Sequence, residues 1–361
     1  MREHGNCPTF RLDSALTYMR LDKYFKLAID KKASDLHVVG GEIPALRIAG
    51  QLTFIDDHII VPAEMVAMVA ELLTKPQFER LQTERELDTA ANFGGWRFRV
   101  NLHFQRATMG LSARLVPELI PNPEDIGFTE TIYNLATLNS GLVLVTGPSG
   151  SGKSTTLAAM LELINRERSA RIITIEDPIE FVYQNKKSMI IQREVGIDTV
   201  SFSGALKYVL RQDPNVILVG EMRDLETIQA ALTAAETGHL VLSTLHTQNA
   251  ALTVERIIDM FEGSRQRQVL LQLSGALRAV ISQQLIPAQK GGLVAAREIM
   301  ITNPAIANLI RENKVAQIPS VIQTSAKEGM IPMEMAVKKL YQDKLIAEEY
   351  INRGLDRGKT F

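Results

Sequence analysis

An apolar run, Gly141-Leu-Val-Leu-Val-Thr146, passes directly into Gly147-Pro-Ser-Gly-Ser-Gly-Lys-Ser-Thr155 and then into the helix-forming Leu157-Ala-Ala-Met-Leu161. This order predicts a buried strand, a glycine-rich loop and a helix, and the spacing fits G-x-x-x-x-G-K-[ST]. Gly147, Gly150 and Gly152 free the backbone to turn successive N–H groups inward around a polyphosphate, with Ser149 and Ser151 between them. The helix beginning near Lys153 adds the positive end of its dipole. Lys153 supplies a cation for the β and γ phosphates. The Ser154 hydroxyl, followed by Thr155, is placed to ligate Mg²⁺.

The rest of the chain is long enough for a second domain. Its 361 residues are 45% hydrophobic, more than one core needs. A net charge of −1 argues against bulk nucleic-acid binding. Cys7 is the single cysteine, which excludes an internal disulfide or a cysteine metal cluster and suits a reducing cytoplasm. The polar start, Met1-Arg-Glu-His-Gly-Asn-Cys-Pro8, is followed by no apolar run near the ~20 residues of a membrane span. Membrane contact is therefore expected to be peripheral.

Ahead of the loop, Leu21, Tyr24, Phe25, Ala28 and Ile29 recur at helical spacing. Ala33 to Val39, Ala45 to Ile48 and Leu52 to Ile55, punctuated by Gly40-Gly41 and Ala49-Gly50-Gln51, predict a small antiparallel sheet. Helices are expected over Pro62 to Leu73 and Pro76 to Leu81, with proline at their starts. Strands are expected over Glu86 to Phe93, Gly95 to Gln105 and Thr108 to Val116. Alternation places Arg97 and Arg99 on one face of the middle strand and Phe98 and Val100 on the other. With Arg106 and Arg114 nearby, the arginine face is either solvated or an anion site.

Pro117-Glu-Leu-Ile-Pro-Asn-Pro-Glu-Asp-Ile-Gly127 carries three prolines and predicts an extended linker. The domains expected are therefore an N-terminal α+β domain over 1–116, a linker over 117–129 and an α/β domain over 130–361. In the latter, Glu130 to Leu138 and a mostly helical tail from Ala305 flank strands at Arg171 to Ile175, Val216 to Val219, Leu240 to Leu245 and Leu293 to Ile301. Strands alternating with helices after a phosphate loop imply a parallel sheet between helices.

Three polar clusters adjoin those strands, where α/β proteins place ligands. They are Glu176-Asp-Pro-Ile-Glu180, Gly220-Glu-Met-Arg-Asp224 and Gly238-His-Leu-Val-Leu-Ser-Thr-Leu-His-Thr247. A carboxylate beside a phosphate loop holds Mg²⁺ or polarises the attacking water, which favours Glu221. His239 and His246 lie seven apart at the ends of one strand, on opposite faces, and share no metal. Each is a candidate for a place near the γ-phosphate or at a subunit contact.

Together these stretches resemble the four signatures of the type II/IV secretion ATPases. Within that superfamily the sequence resembles the PilT-type retraction ATPases of type IV pili. The likeness extends to Ala33-Ser-Asp-Leu-His37, Arg211 to Asp224, Ala234-Ala-Glu-Thr-Gly-His239 and Ala305-Ile-Ala-Asn-Leu-Ile-Arg-Glu312. It implies a PAS-like N-terminal domain, a RecA-like P-loop domain, a homohexameric ring, ATP with Mg²⁺, and twitching motility as the output. It further implies a platform protein of the inner membrane as partner at the cytoplasmic face. Glu221 then matches the Walker B carboxylate and Glu180 the catalytic glutamate, while Arg99 and Arg114 match arginines that reach the nucleotide. His239 and His246 complete the candidate catalytic set.

Asn215 stands where the family commonly has aspartate, and Ala307 replaces a usual arginine in the C-terminal retraction motif. Extension ATPases and type II secretion ATPases usually carry a four-cysteine zinc subdomain, which Cys7 alone cannot build. A RecA-like nucleic-acid motor and an accessory ATPase that binds nucleotide without turnover are the other readings. The first conflicts with the near-neutral charge. The second conflicts with the presence of both carboxylate clusters.

Overall fold

Period-two alternation decides the first unit of the chain. The computed structural model describes residues 21–48, 50–55, 58–116 and 119–353, in two units, residues 1–118 and 119–361. Cys7, Ala49, Pro117 and Glu118 lie outside the described residues. Helix α1 (Leu21–Asp30) buries Leu21, Tyr24, Phe25 and Ala28, the expected stripe apart from the half-buried Ile29. Strands β1 (Asp35–Val39), β2 (Ala45–Ile48) and β3 (Gln51–Phe54) follow. Next come α2 (Pro62–Leu72) and α3 (Lys75–Glu84), each opened by proline in its first turn. In α3 the Gln77 side chain accepts from the Thr74 N–H at 3.0 Å, capping a helix whose first donors have no partner of their own. Strands β4 (Glu86–Phe93), β5 (Trp96–Gln105) and β6 (Thr108–Leu115) complete a six-stranded sheet in the order β3-β2-β1-β6-β5-β4. Phe98, Val100 and Leu102 are fully buried while Arg99 is exposed, so the alternation read from β5 holds.

The second unit opens with residues 119–129, and here the extended-linker expectation is corrected. The Asp125, Gly127 and Phe128 amides donate to the Asn122, Glu124 and Pro123 carbonyls. Residues 122–128 form a tight turn, because Asn122 before Pro123 and Asp125 and Gly127 after it supply turn chemistry. Then follow α4 (Glu130–Ala136), β7 (Gly141–Thr146), α5 (Lys153–Glu167), β8 (Arg171–Glu176), β9 (Met189–Glu194), α6 (Phe202–Val209) and β10 (Val216–Val219). The chain continues through α7 (Leu225–Glu236), β11 (Leu240–Leu245), α8 (Ala250–Asp259), α9 (Ser264–Ala276), β12 (Leu277–Pro287) and β13 (Leu293–Ile301). It ends in α10 (Pro304–Arg311), α11 (Ile318–Thr324), α12 (Met333–Gln342) and α13 (Glu349–Arg353).

The strands form a seven-stranded sheet ordered β13-β12-β7-β11-β10-β8-β9. It is parallel except that β13 runs antiparallel to β12, so the sheet is mixed where an all-parallel one was expected. Every residue of β7, β10 and β11 is buried, as strands covered on both faces must be. Val143 and Val145 pack with α4 and α5 on one face. Leu142 and Leu144 pack with helices α6 to α10 on the other. Asn215 is accounted for by this frame: its Oδ1 accepts from the Arg171 amide at 2.8 Å, joining the starts of β8 and β10. A neutral acceptor suffices there.

Candidate active site

The phosphate loop turns on two glycines at positive φ, where a side chain would be strained. At Gly147 (φ 146°) a Cβ would lie 2.3 Å from the Gln283 carbonyl oxygen, and at Gly152 (φ 83°) 2.8 Å from the Gln283 side-chain nitrogen. The loop therefore packs directly on β12. Lys153 begins α5 and is 9% exposed. Its ammonium donates to the carbonyls of Gly147 and Pro148, both at 2.9 Å. Burial pushes the Lys153 pKa down, against the opposing charges of Glu221 and Glu180. A partly desolvated cation inside a loop of N–H donors is suited to bind a multiply charged anion. Ser149 and Gly150 are exposed on the loop, whereas Ser151 is buried. Ser154 and Thr155 are half-buried in the first turn of α5.

The acids converge on this lysine because β7, β11, β10 and β8 are parallel neighbours and their C-terminal ends share one sheet edge. Glu221 follows β10 and His246 follows β11, with His246 Nε2 3.4 Å from Glu221 Oε2. Arg223 pairs with the other Glu221 oxygen at 2.5 Å. Glu180 stands on the loop after β8, half-buried. That loop is held by residues the motif reading left without roles. Glu194 Oε2 accepts from the Ile179 amide at 3.1 Å, and Gln192 donates to the Phe181 carbonyl at 2.8 Å. Both lie on β9. Within the loop's own start, Glu176 is buried and pushed up to about 7, chiefly by burial, while hydrogen bonds from Thr174 and Gln192 oppose the rise.

His239 is corrected as a member of this site. It precedes β11, at the end of the strand away from the phosphate loop. Six residues at roughly 3.3 Å each separate the two ends. Its Nδ1 lies 2.9 Å from the Ala234 carbonyl at the end of α7, the local role of a helix-end histidine. His246 is the member of the pair at the loop's end of the strand.

In the first unit, Arg99 and Arg114 are direct cross-strand partners on β5 and β6. Like charges in such register repel unless an anion intervenes. Asp35, on β1, accepts from Arg114 Nε at 2.8 Å. Burial raises the Asp35 pKa, but hydrogen bonds from Ser34 and Arg114 and the Arg114 charge outweigh it and hold the carboxyl low. Arg114 remains 72% exposed in its side chain, and Arg99 is exposed beside it.

Among the described residues no group of three His, Cys, Asp or Glu side chains forms a metal site. Ser154 and Glu221 are nonetheless hard oxygen donors of the kind Mg²⁺ takes. No described helix is long and apolar enough to cross a membrane.

A phosphate loop whose lysine lies in a RecA-like sheet unit with carboxylates in the loops after β8 and β10 defines a P-loop nucleotide-binding protein. Residues 11–349 match the family of type II/IV secretion system proteins, and the chain belongs to that family. It is 46% identical to the type IV pilus retraction ATPase PilT of Pseudomonas aeruginosa over 334 residues, 92% of this chain and 96% of that protein. It is also 46% identical to the twitching motility protein of Neisseria gonorrhoeae over 312 residues, 86% of this chain and 83% of that one. The crystal structure of the pilus retraction motor PilT with bound ADP superposes with a TM-score of 0.87 at 43% identity, covering 93% of this chain and 97% of that one.

Proposed function

We propose that the chain is an ATP-hydrolysing motor that drives type IV pilus retraction, and with it twitching motility, by removing pilins from the fibre. The observation that supports the reading is Lys153 held within the phosphate loop after β7, with the Glu221–His246 pair following β10 and β11 at the same end of the parallel strands. In the mechanism, backbone N–H groups of the phosphate loop, among them those of Ser149, Gly150 and Gly152, and the Lys153 ammonium bind the β and γ phosphates of ATP. Ser154 and Glu221 would hold Mg²⁺, which would supply charge neutralisation at the phosphates. Glu180 accepts a proton from the attacking water. His246, beside Glu221, orients that carboxylate. Arg99 and Arg114 act on the phosphates as guanidinium forks. The working form is a homohexamer at the cytoplasmic face of the inner membrane, acting on a platform protein there.

The test is a strain lacking this gene, complemented with the wild type or with Glu180→Gln. The wild type restores pilus shortening, and the variant assembles pili that fail to shorten. Normal shortening with Glu180→Gln, or loss of pilus assembly instead of retraction, refutes the reading.

A further inference from the structure

Behind the phosphate loop lies a buried polar cluster that takes no part in the chemistry described above. Arg297, on β13, is 7% exposed and uses its guanidinium in three directions. Nε donates to Gln283 Oε1 at 2.8 Å. One terminal nitrogen donates to the carbonyls of Ile126 at 2.8 Å and Gly127 at 3.1 Å. The other lies 3.4 Å from Thr156 Oγ1, and the Phe128 ring lies 5.6 Å from the guanidinium carbon.

Gln283, on β12, is 2% exposed and passes the connection on. Its oxygen accepts from Arg297 and, at 2.7 Å, from the Thr156 hydroxyl. An arginine only donates, so the amide cannot be turned around. Its nitrogen must face the other way, and it donates to the Ser151 carbonyl of the phosphate loop at 2.5 Å. Two side chains thus join the turn at residues 126–127 to the loop's backbone, with no solvent between. A buried guanidinium is costly unless its donors are satisfied, and here the partners come from the turn, from β12 and from α5, with Gln283 alone passing the connection to the loop. Displacing Ile126 and Gly127 strips Arg297 of two acceptors, and the change reaches Ser151 through one amide.

We propose that Arg297, acting through Gln283, is a positioning residue that couples the turn opening the second unit to the phosphate loop. Movement of residues 119–129 and nucleotide occupancy then bias each other. By reciprocity of linked equilibria, a nucleotide that orders the loop also orders the turn. The inference rests on the phosphate loop being the nucleotide site.

The test is hydrogen–deuterium exchange of the full chain with and without ADP, for the wild type, Gln283→Leu and Arg297→Lys. In the wild type ADP slows exchange at least about fivefold both in peptides over 147–155 and at the hydrogen-bonded amides of Asp125, Gly127 and Phe128. In Gln283→Leu ADP still protects 147–155, while its effect on 125–128 falls below about twofold. Arg297→Lys keeps the charge but cannot span both segments, and it gives the same loss even if Gln283→Leu folds poorly. A merely structural role would raise exchange at 125–128 equally with and without ADP, leaving the ADP-induced ratio unchanged. That result overturns the coupling. Wild-type protection at 147–155 without any at 125–128 also overturns it while sparing the nucleotide site. Absence of protection at 147–155 overturns both.

Discussion

Glu176 ends β8 with its carboxyl buried, and its Oε1 accepts from Thr174 Oγ1 at 2.6 Å and from Gln192 at 3.2 Å. Burial lifts its pKa from 4.5 to about 7, with the Glu180 charge adding to the rise. The folded protein therefore holds this proton through a pH range in which the unfolded chain releases it. The folded state binds more protons there, so unfolding free energy falls as pH climbs from 4.5 to 7. At 1.36 kcal/mol for each tenfold change, the span amounts to about 3 kcal/mol. Glu176→Gln keeps an acceptor for Thr174 and Gln192 but cannot ionise. Its stability relative to wild type should improve by about 3 kcal/mol between pH 4.5 and pH 8, in favour of the variant at the higher pH. Urea unfolding of the nucleotide-free proteins at several pH values measures this, following the transition of the second unit, where Glu176 resides. Carboxylates common to both proteins cancel in the difference. A difference that stays constant within about 0.5 kcal/mol across the range refutes the argument, because Glu176 would then titrate like a solvated acid.

Other substitutions address the chemistry and its output. Lys153→Ala should abolish ATP hydrolysis with an unchanged circular dichroism spectrum; wild-type turnover would remove the lysine from phosphate binding. Glu180→Gln should retain ATP binding and lose on the order of 10²-fold or more in rate, measured by phosphate release against nucleotide titration. Arg99→Ala and Arg114→Ala should each lower turnover more than ATP affinity, since their contact would tighten in the transition state; unaltered kinetics would return both to a solvated strand face. Changing Asn308 and Arg311 together to alanine should leave ATPase activity and oligomer size intact but stop retraction in cells. Both are exposed on α10, whose Ile306 and Ile310 are fully buried, and a parallel fall in ATPase would deny the helix a separate output role.

Most elements were legible where local chemistry and burial agreed. The fully buried runs of β7, β10 and β11 and the alternation of β5 each state their environment in their residue types. β9 and β12 were missed for opposite reasons. Met189-Ile-Ile-Gln-Arg-Glu194 is an edge strand with mixed polarity, and its charged residues mask the pattern. Leu277 to Pro287 begins directly after α9, with Leu277 serving as both helix cap and first strand residue. Gly275 falls inside the last turn of α9 and no turn residue separates helix from strand, while Ser282-Gln-Gln284 interrupts the apolar run. Missing β12 also concealed the antiparallel edge, since its pairing with β13 is what makes the sheet mixed.

The site divides along the same line. Residues that meet a phosphate are confined to short spacings, because a loop closing on an anion leaves few backbone solutions, and so Gly147 to Ser154 can be read directly. Residues that hold those groups in place obey no such spacing. Gln192 and Glu194 support the Glu180 loop from β9, and Gln283 supports the phosphate loop from β12, each reaching across the sheet from a strand the sequence did not announce. Their polarity is the one local clue, since a glutamine or glutamate in a sheet interior needs partners to offset its desolvation. Such a residue points to a neighbour without identifying it, and only the strand order β13-β12-β7 brings Gln283 beside Ser151 and Arg297. His239 shows the converse error. Its motif spacing relative to His246 is local and visible, yet the direction of β11 alone decides which histidine reaches the phosphate end.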